Sequence, residues 1–147
     1  MERIPYLELI MRLTVISDEL SSAQMITTLD IVPNRAWDIG DFRPQTRCKE
    51  KNNGIIIDSG IERKGSIEEH TEAITAKLEP LRSALLDLSE NCEISLSVVY
   101  YSTYCNPRLW FDNSFMSLLA SINASLEMDG YVFDSENEEK NQDENKL

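Results

Sequence analysis

Histidine is nearly missing from this chain: one residue, His70, among 147. Any imidazole base must therefore be His70, and one histidine with three scattered cysteines offers no zinc-binding spacing. The cysteines stand at 48, 92 and 105. Their number is odd and none form a C-x-x-C pair, so a disulfide framework is not expected, and reduced thiols in a cytoplasmic (cytosolic) protein are the default. Glycine and proline, five each, are too few for a collagen-like or low-complexity chain. No apolar run approaches a membrane span. No charged segment followed by an apolar one opens the chain, so a secretory signal is not expected either. A glycine-rich phosphate loop, a G-x-S-x-G elbow and an H-E-x-x-H pair are also lacking. No cofactor, no metal and no catalytic residue is assigned, and the balance leans away from an enzyme.

Bases are in short supply too. Lysine and arginine number 14 against 26 aspartates and glutamates, a net charge of −12. From Asp134 onward six acids and two bases give −4, which leaves −8 on the body. Such a surface repels phosphate backbones and anionic lipid heads, so neither nucleic acid nor membrane is expected as a partner. A basic protein would be steered toward it; the plainer alternative is that acidity only maintains solubility.

What is present is ordinary for one soluble domain: 41% hydrophobic and 27% charged residues. Tyr6 to Ile16 alternates Leu7, Leu9, Met11, Leu13 and Val15 on one face, which predicts a strand. Ser21 with Gln24 three residues on fits a capping box and starts a short helix carrying Met25, Ile26 and Leu29, ended by Pro33. Residues 33–53 read as irregular and hold five of the fourteen bases: Arg35, Arg43, Arg47, Lys49 and Lys51. A loop of that length inside a compact domain is often functional. Ile55–Ile57 makes a short strand closed by Ser59 and Gly60. Ser66 caps a long helix whose stripe runs Ile67, Ile74, Leu78, Leu81, Leu85 and Leu88, with Pro80 kinking or splitting it near Glu79. Ile94, Leu96, Val98 and Tyr100 alternate as a further strand. A third helix follows Asp112, and Leu126 to Phe133 forms the last strand. Of the late aromatics, most are assigned to the core, with Tyr101 and Tyr104 nearest the surface.

These elements predict an α+β fold. It is a four-stranded, mostly antiparallel sheet with helices on one face, a ferredoxin-like sandwich. One domain covers residues 1–134, and residues 135–147, polar and without periodicity, form a disordered acidic tail.

Several stretches in order carry a resemblance: Ser17-Asp18-Glu19-Leu20-Ser21, Arg35-Ala36-Trp37 with Gly40-Asp41, Ile57-Asp58-Ser59-Gly60, Glu68-Glu69-His70, Leu78-Glu79-Pro80-Leu81, Cys92-Glu93-Ile94-Ser95-Leu96-Ser97, and Asp129-Gly130-Tyr131-Val132-Phe133-Asp134. The set resembles a family of small bacterial proteins grouped as a domain of unknown function, number four-two-seven-nine, over about residues 6–134. The chain departs from it at Ile55-Ile56-Ile57, where the family often has tryptophan, and over Tyr104–Trp110, where a glycine-rich turn is usual. The resemblance implies the fold and a bacterial cytosolic origin; it implies no activity and no catalytic residues.

Candidate binding residues come from the remaining signals. Asp18 and Glu19 precede a helix: a carboxylate pair for acid–base work, or acids favoured by the helix dipole. His70 sits at the edge of an apolar stripe: a base needing an orienting partner, or a core histidine needing one hydrogen bond. Arg35, Trp37 and Asp38 combine the residue types that dominate interface energetics, or else anchor a loop to the sheet edge. Asp129 continues the acidic surface. The leading functional reading is a non-catalytic protein-binding module, in its narrowest form an immunity-type neutraliser of a basic toxin. The alternatives are a small-molecule binder or enzyme with a pocket near Trp37 and His70, and a structural homodimer subunit. If the tail adds nothing to the fold, ending the chain at Asp134 leaves the melting temperature within about a degree; a loss of several degrees contradicts this.

Overall fold

The computed structural model describes residues 6–103 and 107–133. The expected tail, and Tyr104, lie outside the described residues. The elements are β1 (Leu7–Ser17), α1 (Ser22–Leu29), β2 (Arg35–Trp37), β3 (Asn53–Asp58), α2 (Ile67–Leu78), a 3-10 turn (Glu79–Leu81), α3 (Arg82–Leu88), β4 (Glu93–Ser102), α4 (Asn113–Ser121) and β5 (Ala124–Val132). None of the described helices is long and apolar enough to cross a membrane.

β1 is the centre of a single sheet in the order β2-β3-β1-β4-β5. Its two-residue period puts Leu9, Met11, Leu13 and Val15 in the core at 1% exposure or less. It runs antiparallel to β3, with Leu13 opposite Ile57, and antiparallel to β4, with Leu13 opposite Leu96. β2 pairs antiparallel with β3, and β5 pairs parallel with β4. The parallel pairing follows from the connection: α4 carries the chain back to the end of the sheet where β4 began.

The α+β class and the mostly antiparallel sheet stand. Among the described residues the strand number is corrected from four to five. The first four strands, in the order β2-β3-β1-β4 and linked β1-α1-β2-β3-α2/α3-β4, follow the split βαβ pattern, and α4 with β5 extends it. The added strand, β2, lies inside the stretch expected to be irregular. Three residues are too few to display a period, and their strand geometry comes from pairing with Ile56, Ile55 and Gly54.

The helices share one face of the sheet. Met25 and Leu29 of α1, Ile74 and Leu78 of α2, Leu85 of α3, and Phe115, Leu118 and Leu119 of α4 join the strand residues in one core. Ser21 forms the expected capping box with Gln24. Pro80 divides the long helix as expected: the 3-10 turn falls on it, and the apolar stripe resumes at Leu85. Trp110, assigned to the core with the other late aromatics, is 49% exposed.

Two glycines let rings cross the sheet. A Cβ at Gly54 would overlap the indole of Trp37, and one at Gly130 would overlap the ring of Tyr100. Gly54→Ala should therefore lower folding stability by about 1–3 kcal/mol, the usual range for overpacking. Urea denaturation checks this, and an unchanged midpoint contradicts it.

Candidate functional site

The face of the sheet opposite the helices is open. Across its middle run Thr14, Ser95 and Ser125, then Arg12, Ser97 and Glu127, set side by side by the register. Ile16, Glu93 and Cys92 continue it toward one end. All of these except Arg12 line a shallow trough of ≈ 650 Å³. It adjoins a second hollow of ≈ 440 Å³ lined by Asp18, Glu19, Asn52, Glu90, Asn91, Cys92 and Glu93. No lysine or arginine lines either one. At the other end of the face Tyr101 stacks on Tyr131 at 5.3 Å and lies 6.4 Å from Phe133.

Ser17 builds the mouth of the smaller hollow. Its hydroxyl donates to the Asn91 carbonyl at 2.6 Å and accepts from the amides of Glu19 and Leu20, each at 3.0 Å. The turn after β1 is thereby tied to the turn before β4, and Asp18 and Glu19 are held outward. Burial pushes the Cys92 thiol up, so it rests as a neutral thiol on the wall.

The other candidates are placed differently. Trp37 is 8% exposed. Its ring covers Gly54, its Nε1–H donates to Asn52 Oδ1 at 3.2 Å, and the Arg35 guanidinium lies 4.7 Å over it. Arg35 also pairs with the buried Glu50 at 2.9 Å, and Arg43 meets the same carboxylate at 3.5 Å. Two of the five loop bases are thus spent on one buried acid, and Lys49 lies 5.5 Å over Phe42. Asp38 receives the Ser22 amide at 2.9 Å and the Ser22 hydroxyl at 3.0 Å, fastening β2 to the start of α1. Arg35, Trp37 and Asp38 anchor the loop.

His70 is 1% exposed under the helices. Its Nε2 lies 3.1 Å from the Glu62 carbonyl, which only accepts, so Nε2 carries the proton and Nδ1 accepts from the Ser59 hydroxyl at 2.7 Å. Trp37 shares the open face with Gly54 and Ile16, whereas Ser59 and His70 belong to the helix-covered side. The expected pocket near both residues is corrected accordingly: the sheet lies between them.

The structure thus brings together Asp18, Glu19 and the acids of the open face, with Asp129 farther along β5, and separates them from Arg35, Trp37, Asp38 and His70. Glu90 and Glu93 were not singled out by sequence. The signal was available for Glu93: it precedes the core residue Ile94 in a strand, so it must face the other way.

The family described as Domain of unknown function (DUF4279) matches residues 7–133. The chain belongs to that family. No curated protein and no solved structure matches it. The DUF4279 match begins on the first residue of β1 and ends one residue beyond β5, so the whole sheet, its open face and the terminal strand belong to the domain. Among the described residues of this DUF4279 domain, no cluster of three or more histidine, cysteine or acidic side chains is arranged to hold a metal ion.

The histidine supplies a pH test. Burial lowers the His70 pKa below its usual 6.5, the Glu62 carbonyl and the Glu69 charge opposing this. The unfolded chain therefore binds this proton more readily than the folded one. Stability from neutral His70 is complete above pH 6.5 and is lost as pH falls toward the lowered folded value. The melting temperature should be flat from pH 8 to 7 and decline as pH falls below about 6.5, and His70→Gln should flatten that decline. An equal slope in the variant contradicts the assignment.

Proposed function

We propose that this DUF4279 domain is a non-catalytic protein-binding module whose partner is basic and docks on the open face of the sheet. The observation that carries the reading is the face itself: a strand surface without a helix over it, lined by Glu93 and Glu127, with Asp18, Glu19 and Glu90 at one end and stacked aromatics at the other. Acids arranged this way raise the rate of encounter with a cationic surface more than they tighten the final complex. The stacked tyrosines supply the apolar anchor that a charged rim alone does not provide.

Further support comes from what the other polar groups do. The histidine is held in the core by Ser59 and Glu62, and Arg35 and Arg43 neutralise Glu50. The narrower reading is an immunity-type neutraliser of a basic toxin in the bacterial cytoplasm, for which an adjacent large toxin gene is the genomic sign.

The test is a pull-down from native lysate with the full chain and with the Glu93→Lys/Glu127→Lys variant. Each exposed pair is worth ~0.2–1 kcal/mol, so reversing both acids should weaken capture of a basic protein about tenfold at low salt. The difference should vanish near 1 M salt, where the Debye length is ~3 Å. Equal capture by both chains at low salt overturns the reading.

A further inference from the structure

β5 is the edge of the sheet on the acidic side, and among the described residues it pairs with β4 alone. The Phe133 amide donates to the Ser102 carbonyl at 2.9 Å, and the β4–β5 register runs unbroken from Ala124 to Val132. Within a strand, the N–H and C=O of one residue point to the same edge, and successive residues alternate. Ser125, Glu127, Asp129 and Tyr131 therefore bond to β4, while Leu126, Met128, Gly130 and Val132 aim their backbone groups outward. Such a row is a template for another strand. Over its nine residues β5 has no proline, no lysine and no bulge to blunt it.

Its side chains are two-sided. Glu127 and Asp129 stand on the open face, with Tyr131 beyond them at 53% exposure. Met128 and Val132, each 45% exposed, stand on the other face past the cover of the helices. We infer that the β5 edge seats an extended basic segment of the partner as a sixth strand. Lysine or arginine at alternate positions faces Glu127 and Asp129, and the apolar residues between them cover Met128 and Val132. This rests on the protein-binding reading above and narrows it to a mode of binding.

A second copy fits the edge poorly. Two antiparallel β5 strands centred on Met128 set Glu127 opposite the copy's Asp129 twice over, and centred on Asp129 they set that residue against itself; like charges directly opposite destabilise a sheet. The chain beyond Phe133, with six acids and two bases, meets the same repulsion.

The test uses the full chain, labelled for amide NMR, and a ten-residue peptide of alternating lysine and valine at low salt. The alternating peptide should bind at least about tenfold more tightly than one of equal composition with five lysines followed by five valines. Hydrogen exchange at Leu126, Met128, Gly130 and Val132 should slow about tenfold or more on binding. Met128→Pro removes an outward N–H and no bond to β4, so it should weaken binding about tenfold while the melting temperature holds within a few degrees. Equal binding of the two peptides, or binding that leaves those amides unprotected, overturns the edge inference and leaves the acidic-face reading standing. Failure of both peptides to bind overturns both. A peptide-free dimer that Met128→Pro dissociates assigns the edge to a second copy and overturns the inference.

Discussion

Leu9, Met11, Leu13 and Val15 oblige β1 to lie with one face against apolar cover, and β1 is the strand to which both β3 and β4 are bonded. The orientation of the sheet follows from that alternation, because a slip of one residue would turn every side chain to the wrong side. Ile55 and Ile57 of β3 and Ile94, Leu96 and Val98 of β4 fall on the same face by register, and the helices close over them. The complementary residues, Arg12, Thr14, Ser95, Ser97 and Glu127, are left on a face that no helix covers. The candidate site is a consequence of one-sided burial.

Charge is distributed unevenly around that frame. Residues 33–53 hold five bases in an acidic chain, yet two of them, Arg35 of β2 and Arg43 of the loop after it, converge on Glu50, whose carboxylate is 7% exposed. A buried acid left alone would be costly, so the guanidiniums serve the fold. On the opposite edge, Glu127 and Asp129 have no such compensation among the described ion pairs. The two edges of the sheet therefore differ in kind. The β2 edge is three residues long and is followed by a loop whose Asn52 accepts from the Trp37 indole; the β5 edge is nine residues long and acidic.

Local signals in the sequence carried most of the fold. The two-residue alternation of β1 and β4, the Ser21 capping box, the Ser66 cap and the break at Pro80 all depend on neighbours within a few positions, and all are realised. What was illegible depends on distant partners. β2 is a strand because Ile55 and Ile56 pair with it. Trp37 is buried because Gly54, seventeen residues later, leaves room for its ring. The separation of Trp37 from His70 is a matter of which face each occupies, and that is settled only when the strands are ordered. The acidic open face was half visible: Asp18, Glu19 and Asp129 drew attention as acids, whereas Glu93 gained its place only when β1 and β4 became neighbours.

Hydrogen exchange of the free full-length chain tests, residue by residue, whether one face and one long edge of this sheet are left open. Ser125, Glu127, Asp129 and Tyr131, bonded to β4, should exchange slowly, and Leu126, Met128, Gly130 and Val132, facing outward, should exchange at least about a hundredfold faster. Uniform protection along β5 would mean that something already covers the edge, and would contradict the account.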